Sequence, residues 1–258
     1  MNKKHKNPLI WFNIITIFPE MFQAISNYGI VSQAIKKKII NITCLNLRDF
    51  SQNKHRSIDD RPYGGGAGML ISFKPLYLAI QYAKSILKND AMIIYLSPQG
   101  KKFKQKDIEK LINKKKIIFI CGRYDGIDQR IIDSQVHEEW SIGNYILTGG
   151  ELAAMVMIDA ISRLVPGVIK TEQSIQKDSF SNHLLDYPSY TRPKIVHNMS
   201  VPKVLLSGNH KNIYLWRLQQ SLINTWIKRP DILKDKKLNI QEQILLNNFK
   251  KHQKKNNS

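Results

Sequence analysis

The sequence predicts an α/β fold, a parallel sheet with crossover helices, followed by a linker and a small all-helical domain. Three observations carry that reading. Apolar strand-like runs, glycine turns and helix-periodic segments alternate as far as Pro166. Three of the strand-like runs end in turns of unusual composition, YLSPQG, CGRYDG and SIGNYILTGG. Beyond Pro166 the alternation stops, and helical spacing resumes only near Asn209.

Taken in order, IWFNIITIF reads as a buried strand, and a helix is expected from Pro19 to about Asn27. IINITCLNL alternates and reads as a second strand. The polar loop SIDDRPYGGGAGM follows, then FKPLYLAIQYAKSIL with apolar residues at helical spacing. AMIIYL is a strand ending in the turn SPQG, and KQKDIEKLINK is an amphipathic helix. KIIFIC is a strand whose turn, GRYDGID, leads into a helix. VHEEWSI is a short strand, and ELAAMVMIDAISRLV is a long, mostly apolar helix. The stretch after Pro166 is polar and carries further prolines, so residues 170–185 read as a linker between a first domain, 1–169, and a second, 186–258. Asn209 is the expected N-cap of the helix NHKNIYLWRLQQSLINTW, and a last helix is expected from Asn239 to about Lys251.

Composition narrows the function. The chain has 258 residues, 42% hydrophobic and 23% charged, enough for a sizeable core. Its apolar runs are too short to span a membrane, and no small-residue cleavage site follows the basic, then apolar, N-terminus. The two cysteines, Cys44 and Cys121, give neither a disulfide framework nor zinc spacing, which fits a reducing cytoplasmic home. The formal charge of +20 favours a polyanionic partner, nucleic acid above all, although lysine is enriched along the whole chain and the tail KKHQKKNNS reads as solvated.

The glycine turns point to a ligand. In open α/β sheets ligands bind beyond the carboxyl ends of the strands, so three unusual turns there are expected to line one pocket. No dinucleotide fingerprint and no ATPase-type phosphate loop is present. Tyr124, Ile142, Tyr145 and Leu147 interleave the glycines, which suits a neutral or cationic ligand with a flat ring better than a triphosphate.

The ordered set DDRPYGGGAGM, YLSPQG, CGRYDGIDQR, EEWSIGNYILTGGEL, SRLVPGV, DSF, YTRP and LLSGNH…WR, spread from about Phe12 to Phe249, closely resembles the bacterial tRNA (guanine-N1)-methyltransferases of the SPOUT superfamily. The resemblance implies a SPOUT-type sheet with a deep trefoil knot. It implies S-adenosylmethionine as methyl donor, tRNA as substrate, Mg²⁺ as an accessory ion, and a homodimer with active sites at the subunit interface. The methylated atom would be N1 of the guanine just 3′ of the anticodon. Residue by residue, Leu96, Ser97 and Pro98 would form one wall of the cofactor site, and Gly122, Tyr124 and Asp125 another. Ser141, Ile142, Gly143, Asn144, Tyr145, Ile146 and Leu147, with Gly149 and Gly150, would wrap the donor.

Guanine N1 carries a proton at neutral pH, so methylation needs a base, and charge developing on O6 needs a cation or donor. The resemblance assigns Asp178 as base and Arg163 as the O6 partner; without it, Asp178 reads as a solvated linker residue and Arg163 as a helix C-cap. Asp59 would accept from a guanine edge, His55 and Arg56 would meet phosphate, and Ser189 would contact RNA. Lys203, Lys211, Arg217, Lys228 and Arg229 would hold the RNA backbone, while Trp216 reads as core. The chain departs from the family at Asp125, commonly Glu, at Asn144, commonly an acid, at Ala67 and Ala153, often Pro, and at Ser189, often His. A related enzyme acting on another RNA and an RNA-binding protein with a decayed pocket are the competing readings.

Overall fold

The computed structural model describes residues 8–169, 178–180, 182–234 and 236–256. The Lys-rich start, Met1–Asn7, and residues 170–177 of the expected linker lie outside the described residues. The chain divides into two compact units, Met1–Lys170 and Thr171–Ser258.

The first unit runs β1 (Ile10–Thr16), α1 (Gln23–Ser26), α2 (Gly29–Lys36), β2 (Ile40–Asn46), β3 (Asp59–Asp60), β4 (Leu70–Ile71), α3 (Phe73–Ile86), β5 (Met92–Lys102), α4 (Ile108–Ile112), β6 (Lys116–Cys121), α5 (Gln129–Gln135), β7 (Glu138–Ser141) and α6 (Glu151–Leu164). Five strands form one sheet in the order β2-β1-β6-β5-β7, and every pairing in it is parallel. The chemistry of the strands explains this arrangement. β1 and β6 are apolar almost throughout because both of their faces are covered, as a parallel sheet requires. Phe12, Ile14, Ile117 and Phe119 face a core shared with Ala154, Met157, Ile158 and Ile161 of α6. Ile15, Ile118 and Ile120 face the opposite core, shared with Leu76, Ala79 and Ile80 of α3 and Ile131 of α5.

Two segments differ from the sequence reading. The expected helix from Pro19 to Asn27 is a 3-10 turn, Pro19–Phe22, running into α1. Extended backbone at Tyr28 then separates it from α2, a helix the sequence reading did not anticipate. The SPQG turn is no strand terminus. β5 continues to Lys102, and Leu96 and Lys101 both pair with Trp140, so Ser97–Gly100 bulge out between them. Gly100 is what permits the bulge: a Cβ there would lie 2.4 Å from the Trp140 backbone nitrogen and 2.5 Å from the Glu139 carbonyl carbon. A run of apolar residues cannot reveal such a crossing of two backbones.

In the second unit, α7 (Lys203–Leu206), α8 (His210–Lys228), α9 (Pro230–Lys234) and α10 (Ile240–Asn256) follow the two short strands β8 (Ile195–Val196) and β9 (Met199–Ser200). Leu184, Leu222 and Leu246 form its core. Asn209 caps α8, its side-chain oxygen accepting from the Asn212 amide at 3.1 Å. Asn239 and Glu242 form a reciprocal capping box at the start of α10. The unit is not purely helical as expected. β8 and β9 pair antiparallel across His197 and Asn198, whose φ values of 48° and 63° make the primed turn that suits a hairpin. The HN dipeptide is a poor sequence signal for that turn, which usually carries glycine. Residues 182–186 pack on the helices: Leu184 is buried, the Leu185 amide donates to Thr225 Oγ1 at 2.8 Å, and Asn224 Nδ2 donates to the Asp186 carbonyl at 2.8 Å. Among the described residues, no helix is long and apolar enough to cross a membrane.

Candidate active site

The carboxyl ends of β6 and β7 and the Ser97–Gly100 bulge of β5 open onto a pocket of about 330 Å³. The three unusual turns meet there. β5 contributes Leu96 and, from its bulge, Ser97 and Pro98; the turn after β6 contributes Gly122, Tyr124 and Asp125. The segment between β7 and α6 contributes Ser141, Ile142, Gly143, Tyr145, Ile146, Leu147, Gly149 and Gly150. Of the residues expected around the cofactor, only Asn144 does not line this pocket.

Local hydrogen bonds give the walls their shape. The Ser141 hydroxyl donates to the Gly143 carbonyl at 2.9 Å and accepts from the Gly143 amide at 3.2 Å, which closes a tight turn at the end of β7. The Gly150 amide donates to the Gly122 carbonyl at 2.9 Å, tying the start of α6 to the end of β6. Tyr124 holds a left-handed backbone, φ 58°, and is 47% exposed as a residue at the pocket. Tyr95 is a buried part of the wall; burial, then the charge of Glu139, pushes its phenol up to about 12.

Beside the pocket lies an ion pair that the sequence reading missed. Glu151, the first residue of α6, is fully buried. Its carboxylate accepts from Thr16 Oγ1 at 2.9 Å and from Arg123 Nε at 3.0 Å. Arg123 also donates from Nη1 to the Thr148 carbonyl at 3.1 Å and lies over the Phe18 ring. The group thus joins the ends of β1 and β6 to the loop entering α6. The available signal was an acid opening an otherwise apolar helix, ELAAMVMI, which also reads as a partner of the helix dipole.

The polar loop expected to meet RNA is docked on the same turn. β3 and β4 pair antiparallel, with Asp59 opposite Ile71. The Asp125 amide donates to the Met69 carbonyl at 3.1 Å, and the Ile71 amide to the Gly126 carbonyl at 3.0 Å. At Gly68, with φ +97°, a Cβ would fall 1.5 Å from an Asp125 carboxylate oxygen. The missing side chain is therefore the space in which the Asp125 carboxylate sits. Asp59 is half-buried. His55 and Arg56 are exposed, and Arg56 Nη2 pairs with Asp49 at 3.1 Å.

Arg163 stands in the last turn of α6, in the first unit. Asp178 belongs to the second, where it lines a cavity with Asp186, whose carboxyl is held above its usual range by burial and then by the nearby Asp178 charge. Ser189 lines a different cavity of that unit. Trp216, expected as core, is half-buried and packs against Tyr190 with ring centroids 6.5 Å apart. No group of three or more His, Cys, Asp or Glu side chains able to hold a metal comes together among the described residues, so the Mg²⁺ expected from the resemblance finds no ligand set here.

Comparison with known sequences identifies the family. The sequence profile described as tRNA (Guanine-1)-methyltransferase TrmD matches residues 10–235. A tRNA (guanine-N(1)-)-methyltransferase from Buchnera aphidicola subsp. Acyrthosiphon pisum is 73% identical over 237 residues, 92% of this chain and 100% of that protein. The protein of the same name from Buchnera aphidicola subsp. Schizaphis graminum is 68% identical over 248 residues, 96% of this chain and 94% of its own. That from Haemophilus ducreyi is 51% identical over 249 residues, 95% of this chain and 99% of its own. With the profile spanning both units of the fold and the three-turn pocket in place, the chain belongs to the tRNA (guanine-1)-methyltransferase TrmD family.

Proposed function

We propose that this chain transfers a methyl group from S-adenosylmethionine to N1 of the guanine at position 37, immediately 3′ of the anticodon of tRNA. The observation that carries the reading is the meeting of the three turns at one pocket, on whose wall the Asp59 loop is docked. The pocket fits the donor. Its volume of about 330 Å³ suits a small ligand, Tyr124, Tyr145, Ile142 and Leu147 offer faces to a flat ring, and the Asp125 carboxylate complements a cationic group. Bound there, S-adenosylmethionine supplies a methyl carbon already activated on a sulfonium, so the protein's task is chiefly to position the reactants.

The remaining work falls to the chain's own groups. Asp178 takes the N1 proton, freeing the ring nitrogen's electron pair, and Arg163 donates to O6 as charge gathers there. Asp59 accepts from a guanine N–H, which sets which base is presented. No step is assigned to a metal. The second unit holds the RNA backbone through its lysines and arginines, and the enzyme works in the cytoplasm. The strand order, the Ser97–Gly100 bulge pressed against β7 and the Gly150–Gly122 contact support a knotted chain path. Leu152 and Val156 leave an apolar stripe on α6 exposed, which supports a homodimer closing over this face.

The test is transfer of labelled methyl to a tRNA transcript with guanine at position 37, beside one carrying adenine there. Label on the first alone is expected, with a rate about 10²–10⁴-fold lower for Asp178→Asn, the usual range for loss of a general base. Equal labelling of both transcripts would refute the position, and full activity of Asp178→Asn would refute the base.

A further inference from the structure

Asp178 is followed by a stretch tied back on itself within the second unit. Its neighbour Ser179 meets Asp186 twice: the Ser179 hydroxyl accepts from the Asp186 amide at 3.1 Å and is hydrogen-bonded to the Asp186 carboxylate. The Phe180 amide donates to the Leu184 carbonyl at 2.9 Å, and the His183 amide to the Phe180 carbonyl at 3.3 Å. Phe180 has φ 74° and His183 φ 54°, left-handed values that a residue with a side chain keeps only where its surroundings hold it. Ser179 and Phe180 are thus clasped to the limb Asn182–Asp186.

That limb is in turn anchored on the helices. Leu184 is buried with Leu222 and Leu246. Thr225 of α8, at zero exposure, donates its hydroxyl proton to the Ser221 carbonyl at 2.6 Å and accepts from the Leu185 amide at 2.8 Å. Asn224 Nδ2 donates to the Asp186 carbonyl at 2.8 Å. Lys236 Nζ, paired with the buried Glu242 at 3.2 Å, donates to the Asn182 carbonyl at 3.1 Å. A carboxylate on a solvated linker samples many orientations, and that freedom has to be removed before it can take a proton from a fixed ring nitrogen. Next to Asp178, hydrogen bonds that lead from Ser179 to a helix core remove part of it beforehand.

We propose that Ser179, Asp186 and Thr225 are positioning residues for the general base: through them the core of the second unit holds Asp178 in place. The inference rests on the assignment of Asp178 as the base and deepens it. The second unit then sets the rate of proton removal as well as the hold on the RNA, and the three residues act on the chemistry through Asp178.

The experiment uses the full chain, S-adenosylmethionine and an unmodified tRNA transcript with guanine at position 37. Values of kcat and the affinities for tRNA and donor are measured for Ser179→Ala, Thr225→Val and Asp186→Ala, each alone and combined with Asp178→Asn. Ser179→Ala is expected to lower kcat about 10- to 100-fold, the order of loss that follows misplacement of a reacting group by about 1 Å, with both affinities within about twofold of the parent. Thr225→Val keeps the buried shape and deletes the acceptor of the Leu185 amide, and it is expected to lower kcat in the same way. Asp186→Ala is expected to lose kcat, and Asp186→Asn, which keeps an oxygen for the Ser179 hydroxyl, to recover most of the loss. In the Asp178→Asn background none of these changes is expected to lower the rate further, because a positioning residue has no effect once the group it positions is gone. Ser179 is half-buried, so its alanine variant tests the clasp even where Thr225→Val disturbs α8. An unchanged kcat in Ser179→Ala beside an impaired Asp178→Asn would overturn the positioning alone, as would a loss that persists undiminished in the Asp178→Asn background or falls on tRNA affinity instead of kcat. Full activity of Asp178→Asn would overturn the positioning together with the assignment it rests on.

Discussion

Replacing Arg123 by methionine removes the cation paired with the fully buried Glu151 and keeps a similar apolar stem in its place. The Arg123 side chain is itself only 17% exposed, so water can replace little of what is lost. Glu151 would keep one donor, Thr16 Oγ1 at 2.9 Å. Breaking a buried pair from one side typically costs about 3–5 kcal/mol, since a charge is left without compensation. For a domain of this size each kcal/mol lowers the midpoint of melting by about 2–4 °C, so a fall on the order of 10 °C is expected. The two units are separated by reading fluorescence in a Trp216→Phe/Trp226→Phe background, where Trp11 and Trp140 report on the first unit alone. A control sharpens the reasoning. Arg123→Met/Glu151→Gln removes the stranded charge while leaving an acceptor for Thr16, so it should be more stable than Arg123→Met. Loss of the 3.1 Å bond to the Thr148 carbonyl also frees the loop entering α6, and calorimetric affinity for S-adenosylmethionine should fall about 10-fold. A single variant melting within about 2 °C of the parent, or a double variant no better than the single, would show that the pair does not hold this corner together.

Gly100→Ala should cost about 3 kcal/mol or more in urea unfolding and abolish donor binding, because the new methyl meets the backbone of β7 rather than a side chain that can rotate away; an alanine variant with unchanged midpoint would refute the crossing. Tyr95 should add an alkaline limit to stability. Its phenol rises from 10.0 to about 12 on folding, so the contribution, about 2–3 kcal/mol, is fully present below pH 10 and is lost as pH climbs through 12. The difference in unfolding free energy between the parent and Tyr95→Phe, followed from pH 9 to 12, isolates this group from the lysines, and a difference independent of pH would count against its burial.

How far the sequence revealed this structure depends on the range of the interaction that makes each feature. Strands β1, β2 and β6 and helices α3, α6 and α8 were legible because local apolar spacing alone identifies a covered strand or an amphipathic helix. The meeting of the turns after β6 and β7 was legible for a topological reason, since in a parallel sheet the strands end on the same side, and the SPQG segment joins them as a bulge within β5. The hairpin β8–β9 was hidden because its turn uses His197 and Asn198 in place of glycine. The β5 bulge was hidden because the reason for Gly100 lies about 40 residues further on, in the backbone of Glu139 and Trp140.

The same distinction applies within the site. A glycine or an aromatic residue in a turn announces itself through composition, so the three turns could be marked in advance, while the individual wall residues came from the family resemblance. Arg123 and Glu151 could not, because each has an ordinary local explanation, a polar turn residue and an acid at a helix start. Only burial changes their meaning. At the surface such a pair would contribute little, whereas at zero exposure for Glu151 it must be matched or the fold bears its full cost.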